Sequence, residues 1–583
     1  MTMNTLSLRT SAILCGILIS LGLASATPNA SEIAPSVDSL PSQYIVQSRS
    51  GANVAAMVLD AGGRVIARLA VIDAVGAELS PQQLATLRRH AGLSIFLDQQ
   101  VEISGKKSNT LLATNSTTSV TAGDFTRTSA ANGTLEKDEL TRMLFDRAEY
   151  YHPLLVNAPD LHRAGTTGKG VTVAVVDTGL WWESDTVLSK TPKFRLDTTS
   201  KPLDDDPNGH GTHVSSTIAS SSLATNWIAE GIAPMADIGA VRAFGADGSG
   251  SYIDVIEAID YIVKNKAKHN IRVLNLSFSA TPRSYYWEDP LNQAVMKAWQ
   301  AGIVVVAAAG NSGPDPMTIG VPGNVPYVIT VGAMTDNYSP IDSTDDKLAT
   351  FSSTGPTYEG FVKPEVVAPG GHIVSSLPFD GYIASLYPGS MVGADRQFKM
   401  SGTSQATAIV SGIVALMLQK DPSLTPDQVK CRLMASARAA VNAKGKAAYS
   451  VFQQGAGLVN ALAAVNSGES TCANRGLDIA RDLAGTAHYQ GPANIDADGT
   501  FYLVDEQGKR VADNGLTWSG KYGSADGYLF SDGKLWSRTD IWSSGRLWSR
   551  SQAWSDSTPW TQGKLFSRSL AETMSVNRWV EHE

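Results

Sequence analysis

The sequence predicts an α/β fold built on a parallel sheet over residues 149–466, set between a small α+β unit and a β-rich tail. Three observations carry that prediction. Val171-Thr172-Val173-Ala174-Val175-Val176 and Ile303-Val304-Val305-Val306-Ala307-Ala308 are uninterrupted apolar runs, as expected of strands buried on both faces. Each runs into a turn that carries a polar side chain, Asp177-Thr178-Gly179 and Gly310-Asn311-Ser312-Gly313, at the strand's C-terminal edge, where open α/β sheets collect ligands. Residues 409–418 form an apolar run suited to a buried helix, entered through the small-residue turn Ser401-Gly402-Thr403-Ser404.

That last turn organises the rest. A serine at a helix start exposes its hydroxyl and places free backbone N–H groups beside whatever it attacks. Small polar residues also cap ordinary helices, so the turn gains meaning only from partners. A nucleophilic serine needs a base, usually histidine, and the histidine needs a carboxylate to fix its tautomer. Asp177 supplies a carboxylate, and Asn208-Gly209-His210-Gly211-Thr212-His213 places a histidine between glycines just before a helix. Singly, each reads as a structural or solvated residue; it is their joint occurrence that points to chemistry.

The order Asp, His, Ser, with each motif at a strand or helix end, resembles the subtilisin-like serine peptidases, the subtilases, from about residue 157 to 465. The resemblance implies a parallel sheet with helices on both faces, and puts Asp177, His210 and Ser404 on the catalytic positions. It also puts Asn311, with the Ser404 backbone N–H, at the oxyanion hole, although Asn-Ser-Gly reads equally as a turn. Gly248, Ser249 and Gly250 match the edge that pairs with extended substrate, which a glycine-rich strand does without side-chain obstruction. Ser277, Phe278 and Ser279 match one wall of the primary specificity pocket, Ala308, Ala309 and Gly310 the other, and Gly320 its base. None of these carries charge, so an apolar or medium-sized side chain is expected there rather than Lys or Arg. Two features depart from the family. Gln405-Ala406-Thr407-Ala408 replaces the usual Met-Ala-x-Pro, and Ser215-Ser216 stand where Ala and Gly are commoner; both are taken as packing positions.

Before this domain, residues 1–26 carry Arg9, an apolar stretch too short to span a bilayer, and Ala24-Ser25-Ala26, the pattern of a cleaved secretory signal that takes Cys15 with it. Residues 42–104 alternate as β–α–β–β–α–β, with Ser80-Pro81 as N-cap and first helical turn. They look like a subtilase inhibitory propeptide, a partner in cis. Residues 105–148, rich in Ser, Thr, Asn and Ala from 106 to 137, read as a linker with a processing site. In an oxidising compartment Cys431 and Cys472 most simply pair, the alternative being two buried thiols.

Asp204-Asp205-Asp206 reads as a solvated loop in preference to a metal site, and His162 as structural. The resemblance implies no cofactor for catalysis; its members often bind calcium for stability, but no ligand carries over residue by residue, so the metal ligands are unknown. A formal charge of −8 gives no reason to expect nucleic acid.

Residues 467–583 are a different object. Phe501-Tyr502-Leu503-Val504 and Lys509-Arg510-Val511 read as a hairpin. Aromatics then recur every six residues, at Trp518, Phe530, Trp536, Trp542, Trp548, Trp554, Trp560 and Phe566, with Ser524 in the skipped place. An even period keeps them on one face of strands. The row is either the core of a small repeat module or an exposed ladder for a surface, a polysaccharide or a protein partner. The expected function is a secreted serine endopeptidase acting on protein or peptide substrates, with no membrane span after signal removal. The rivals are an inert scaffold whose tail binds, and an enzyme whose target is its own propeptide.

Overall fold

The computed structural model describes residues 41–48, 51–104, 151–181, 191–199, 205–224, 228–340, 345–392, 397–440, 447–495, 500–504, 510, 523–524 and 575–577. The expected signal at 1–26, the linker at 105–148 and the aromatic row from Trp518 to Phe566, apart from the pair at 523–524, lie outside these residues.

An eight-stranded sheet is the frame. In spatial order its strands are Lys347–Leu348, Ile329–Thr335, Val304–Ala308, Ile271–Leu276, Thr172–Asp177, Asp237–Arg242 and Phe194–Asp197, with Val366–Pro369 also pairing with Ile329–Thr335. All pairings are parallel except that of Lys347–Leu348. The two apolar runs become central strands whose residues are all buried, and each buried valine or isoleucine contributes about 1.5–3 kcal/mol. A helix pair covers each face: His210–Ala219 with Thr403–Lys420, and Tyr252–His269 with Pro290–Gln300. The Thr403–Lys420 helix is buried along its length from Thr403 to Leu418, which explains why its sequence is apolar on every side.

Residues 42–97 follow the expected strand and helix order, and Ser80 does cap the helix Pro81–Leu87 in a capping box with Gln83. Alternation along the strand Ser42–Ser48 splits its apolar residues between two cores. Val46 joins Val58, Val75, Leu79 and Leu87 in the unit's own core, whereas Ile45, with Leu69, Ile72 and Phe96, joins the core of the large domain. The unit therefore docks through apolar burial on the Tyr252–His269 and Pro290–Gln300 helices. At the junction Asp98 Oδ1 accepts from the Ile253 N–H at 3.0 Å, and the Gln99 carbonyl accepts from the Tyr252 N–H at 2.8 Å, so two free donors of the helix start are satisfied from across the interface. Gln100–Ser104 then pairs antiparallel with Ser249–Ser251, and Ser575–Asn577 pairs parallel with the other edge of Gln100–Ser104.

Residues 467–495 and 500–504 pack onto the same body. Cys431 and Cys472 form a disulfide with Cα atoms 5.1 Å apart. Asp482, buried, accepts from Tyr286 at 2.6 Å and Tyr327 at 3.0 Å, and Ala493 and Leu503 pack against Val362, Val451 and Phe452. Val504 bridges to Arg510 antiparallel, in the place where the hairpin was expected.

The acidic run corrects the sequence expectation. Asp205 is exposed, but Asp206 is buried and accepts from the Gly209 and Thr212 N–H groups, each at 2.8 Å, from the Thr212 hydroxyl at 2.6 Å and from the Thr178 hydroxyl at 2.7 Å. It is the structural cap of the loop that delivers His210, with its carboxyl oxygens bonded by oriented donors rather than by solvent. His162 is structural, its Nε2 lying 2.9 Å from the Ile232 carbonyl.

Candidate active site

Asp177 sits at the end of the Thr172–Asp177 strand and His210 opens the helix His210–Ala219. His210 Nδ1 lies 2.7 Å from Asp177 Oδ1, and both side chains are fully buried. The two elements approach so closely that a Cβ on Gly211 would stand 2.2 Å from the Gly179 carbonyl oxygen, so only glycine fits after this histidine. The Thr178 N–H also donates to Asp177 Oδ1, at 2.8 Å. Burial pushes the Asp177 carboxyl up, and the neighbouring His210 and the Thr178 N–H work against that rise. His210 Nε2 is buried with no hydrogen-bond partner among the described residues.

Ser404 is the second residue of the Thr403–Lys420 helix. Its hydroxyl donates to the Ser277 carbonyl at 2.9 Å, and the Ser277 hydroxyl returns a bond to the Ser404 carbonyl at 3.1 Å. The serine proton is thus parked on a carbonyl, and handing it to an imidazole requires the hydroxyl to turn, as catalytic contacts often do once substrate binds.

Asn311 follows the Val304–Ala308 strand. Its Oδ1 accepts from the Thr403 N–H at 2.9 Å and from the Thr403 hydroxyl at 2.8 Å, which fixes the amide with Nδ2 pointing the other way. That Nδ2 is buried and has no partner among the described residues. A buried amide donor held in one orientation and left unpaired costs about 1–3 kcal/mol, and a developing negative oxygen would repay it.

Of the other residues expected here, Ser249 and Gly250 lie on the edge strand and Gly248 in the turn before it, with φ +76°. Ser277, Phe278, Ser279, Ala308, Ala309 and Gly310 are buried together around the ends of neighbouring strands, and Phe278 packs on Phe244 with ring centroids 5.1 Å apart. The Gly320 N–H donates to the Ala309 carbonyl at 3.1 Å, joining the expected base to the second wall.

Sequence reading passed over Thr403, Asp206 and Thr178, which orient the functional groups. Thr403 is in plain view, since it adjoins Ser404, but its contact is with a residue 92 positions away. Ser216 is more than a packing position: its hydroxyl lies 2.8 Å from the Ser375 hydroxyl and so ties this helix to the strand Ile373–Ser376. His213 is neutral, its pKa pushed down to about 3 by burial, and is held between the Ile373 and Phe398 carbonyls at 3.2 and 3.1 Å. Among the described residues, no group of three His, Cys, Asp or Glu is placed to hold a metal ion, and no helix is long and apolar enough to cross a membrane.

The sequence profile of the subtilase family matches residues 168–457, which contain Asp177, His210, Asn311 and Ser404. Subtilisin DY of Bacillus licheniformis is 33% identical over 312 residues, 53% of this chain and 96% of that protein. The chain belongs to the subtilase family. Serine protease AprX of Bacillus subtilis (strain 168) is more similar, 44% identical over 271 residues, although the match takes in 45% of this chain and 60% of that protein. M-protease of Shouchella clausii (strain KSM-K16) is 34% identical over 309 residues, 68% of its length. The names of these relatives are those of proteases, and in this chain Asp177 and Asn311 lie at the C-terminal edge of the parallel sheet.

The Thr403–Asn311 contact yields a test. Thr403→Val should lower kcat for peptide hydrolysis about ten- to a hundred-fold with KM little changed, and Thr403→Ser should stay within about threefold of wild type. Equal loss in both variants would show that the hydroxyl does not hold the amide.

Proposed function

We propose that this subtilase is an exported serine endopeptidase made as a precursor that cuts itself. The observation that carries the reading is the fully buried Asp177–His210 pair at 2.7 Å, with Ser404 at the head of its helix and an unpaired Asn311 amide. Asp177 holds the imidazole in the tautomer with its proton on Nδ1. His210 Nε2 takes the proton from the Ser404 hydroxyl as Oγ attacks the peptide carbonyl carbon. Asn311 Nδ2 and the Ser404 backbone N–H hold the oxyanion. His210 passes its proton to the departing amine as the C–N bond breaks, and water repeats the sequence to free the acid. The uncharged walls at residues 277–279 and 308–310 disfavour Lys or Arg on the acyl side of the cut.

In this reading residues 42–104 are an inhibitory propeptide. Support comes from the Gln100–Ser104 strand, which pairs with Ser249–Ser251 in the way an extended substrate would. Residues 105–148 hold the processing site, residues 1–26 direct export, and the residues beyond 467 form a tail whose described part is tied to the catalytic body by the Cys431–Cys472 disulfide and by apolar packing. No calcium ligand set is assigned.

Intact mass over time, with casein hydrolysis, tests the reading. The wild type should shed an N-terminal fragment of about a hundred residues and digest casein, while Ser404→Ala stays long and inert. Processing or casein hydrolysis by a folded Ser404→Ala protein would refute it.

Asp98 gives the interface a pH dependence. Burial pushes its carboxyl up to about 7, with the Asp254 charge adding and the bonds from Ile253, Ser251 and Tyr252 opposing. Asp254 is itself pushed up to about 6, chiefly by burial. A carboxyl whose pKa rises on docking takes up a proton, so its contribution is fullest below its ordinary value and is lost as pH rises through the docked one. Release of the cleaved N-terminal unit should therefore quicken between about pH 4 and 7, and Asp98→Asn should flatten that rise; stopped-flow recovery of activity measures both.

A further inference from the structure

The primary pocket holds a group that its uncharged composition conceals. Ser279 is 1% exposed, and its hydroxyl is buried with no hydrogen-bond partner among the described residues. Its position is defined by two glycines. A Cβ built on Gly320 would stand 1.8 Å from Ser279 Oγ, and one built on Gly310 would stand 3.1 Å from it. The hydroxyl therefore lies on the base, against Gly320, and reaches the opposite wall at Gly310. Both glycines are needed to leave it room.

The frame around this hydroxyl is rigid. Immediately after Ser279 and Gly320 the two segments are pinned by a pair of backbone bonds, Ala280 N–H to the Val321 carbonyl at 2.9 Å and Val321 N–H to the Ala280 carbonyl at 2.8 Å. The Gly320 N–H is bonded to Ala309, and the Ser353 N–H to the Gly310 carbonyl at 2.9 Å. Base and walls cannot separate to let a long side chain past the hydroxyl without breaking these bonds. A buried hydroxyl with no partner is unfavourable unless something arrives to bond it, and an incoming side chain with a donor or acceptor would do so.

We propose that Ser279 sets primary specificity: its hydroxyl shortens the pocket for the side chain on the acyl side of the cut and hydrogen-bonds it. The favoured class is short, uncharged and polar, with Asn the best fit and Ser and Thr after it. This rests on the peptidase reading and narrows the apolar or medium-sized preference that composition alone suggests. A site built to bond a polar group penalises the isosteric side chain that lacks one, because its own hydroxyl is then left unpaired.

The test uses the mature enzyme and three peptides identical except for Asn, Leu or Phe before the cut. Wild type should show kcat/KM for Asn at least about tenfold above Leu, which has nearly the same shape, with Phe poorest. Ser279→Ala should remove the Asn preference and partly relieve the exclusion of Phe, and Ser279→Gly should raise kcat/KM for Phe further, by about tenfold or more over wild type. Thermal unfolding confirms that each variant is folded. A ranking with Leu at or above Asn, or one unchanged in both variants, would overturn the proposal while casein hydrolysis leaves the peptidase reading standing. Loss of all activity toward peptides and casein in the wild type would overturn both.

Discussion

A carboxylate and an imidazole buried together, 2.7 Å apart and shielded from water, are the constraint around which the rest is arranged. Asp177 is held at that depth by donors that face it, and those donors are themselves held. Thr178, which donates to Asp177, also donates to Asp206, and Asp206 gathers the N–H groups of the loop and first turn that present His210. One carboxylate thus pairs with the imidazole and a second fixes the geometry of the loop that presents it. The pairing would be costly in an apolar interior without such a shell.

The sheet converts this local pair into a site. Parallel strands end on the same edge, so Asp177 and Asn311 are brought to one edge by strands that are far apart in sequence. Ser404 arrives from a helix buried from Thr403 to Leu418, whose first residue, Thr403, bonds the asparagine while its second, Ser404, bonds the Ser277 carbonyl. Each functional group is therefore positioned by a neighbour that has no chemistry of its own.

Much of this could be read from the sequence. Buried strands announce themselves as unbroken apolar runs, and Asp177, His210, Asn311 and Ser404 stand at element ends next to glycines, where local sequence is distinctive. The capping box at Ser80 was equally local. What escaped notice depends on tertiary approach. Asp206 looked like part of a solvated run because nothing near it in sequence shows that donors converge on it. Ser279 looked like a small wall residue because its missing partner shows only when Gly320 and Gly310 are set beside it. The joint packing of residues 51–97, with the strand Ser42–Ser48, and of residues 467–495 on the large domain is hidden for the same reason, although Ile45 and Val46 already carry the alternation that divides two cores.

The central claim is that the buried pair makes Ser404 a nucleophile, and labelling with a fluorophosphonate tests it most directly. The reagent phosphonylates an activated serine oxygen with loss of fluoride, and mass spectrometry locates the adduct. The account predicts one adduct, on Ser404, formed by the mature wild type and lost in His210→Ala even though Ser404 remains. An unlabelled wild type, an adduct on another serine, or equal labelling without His210 would contradict it.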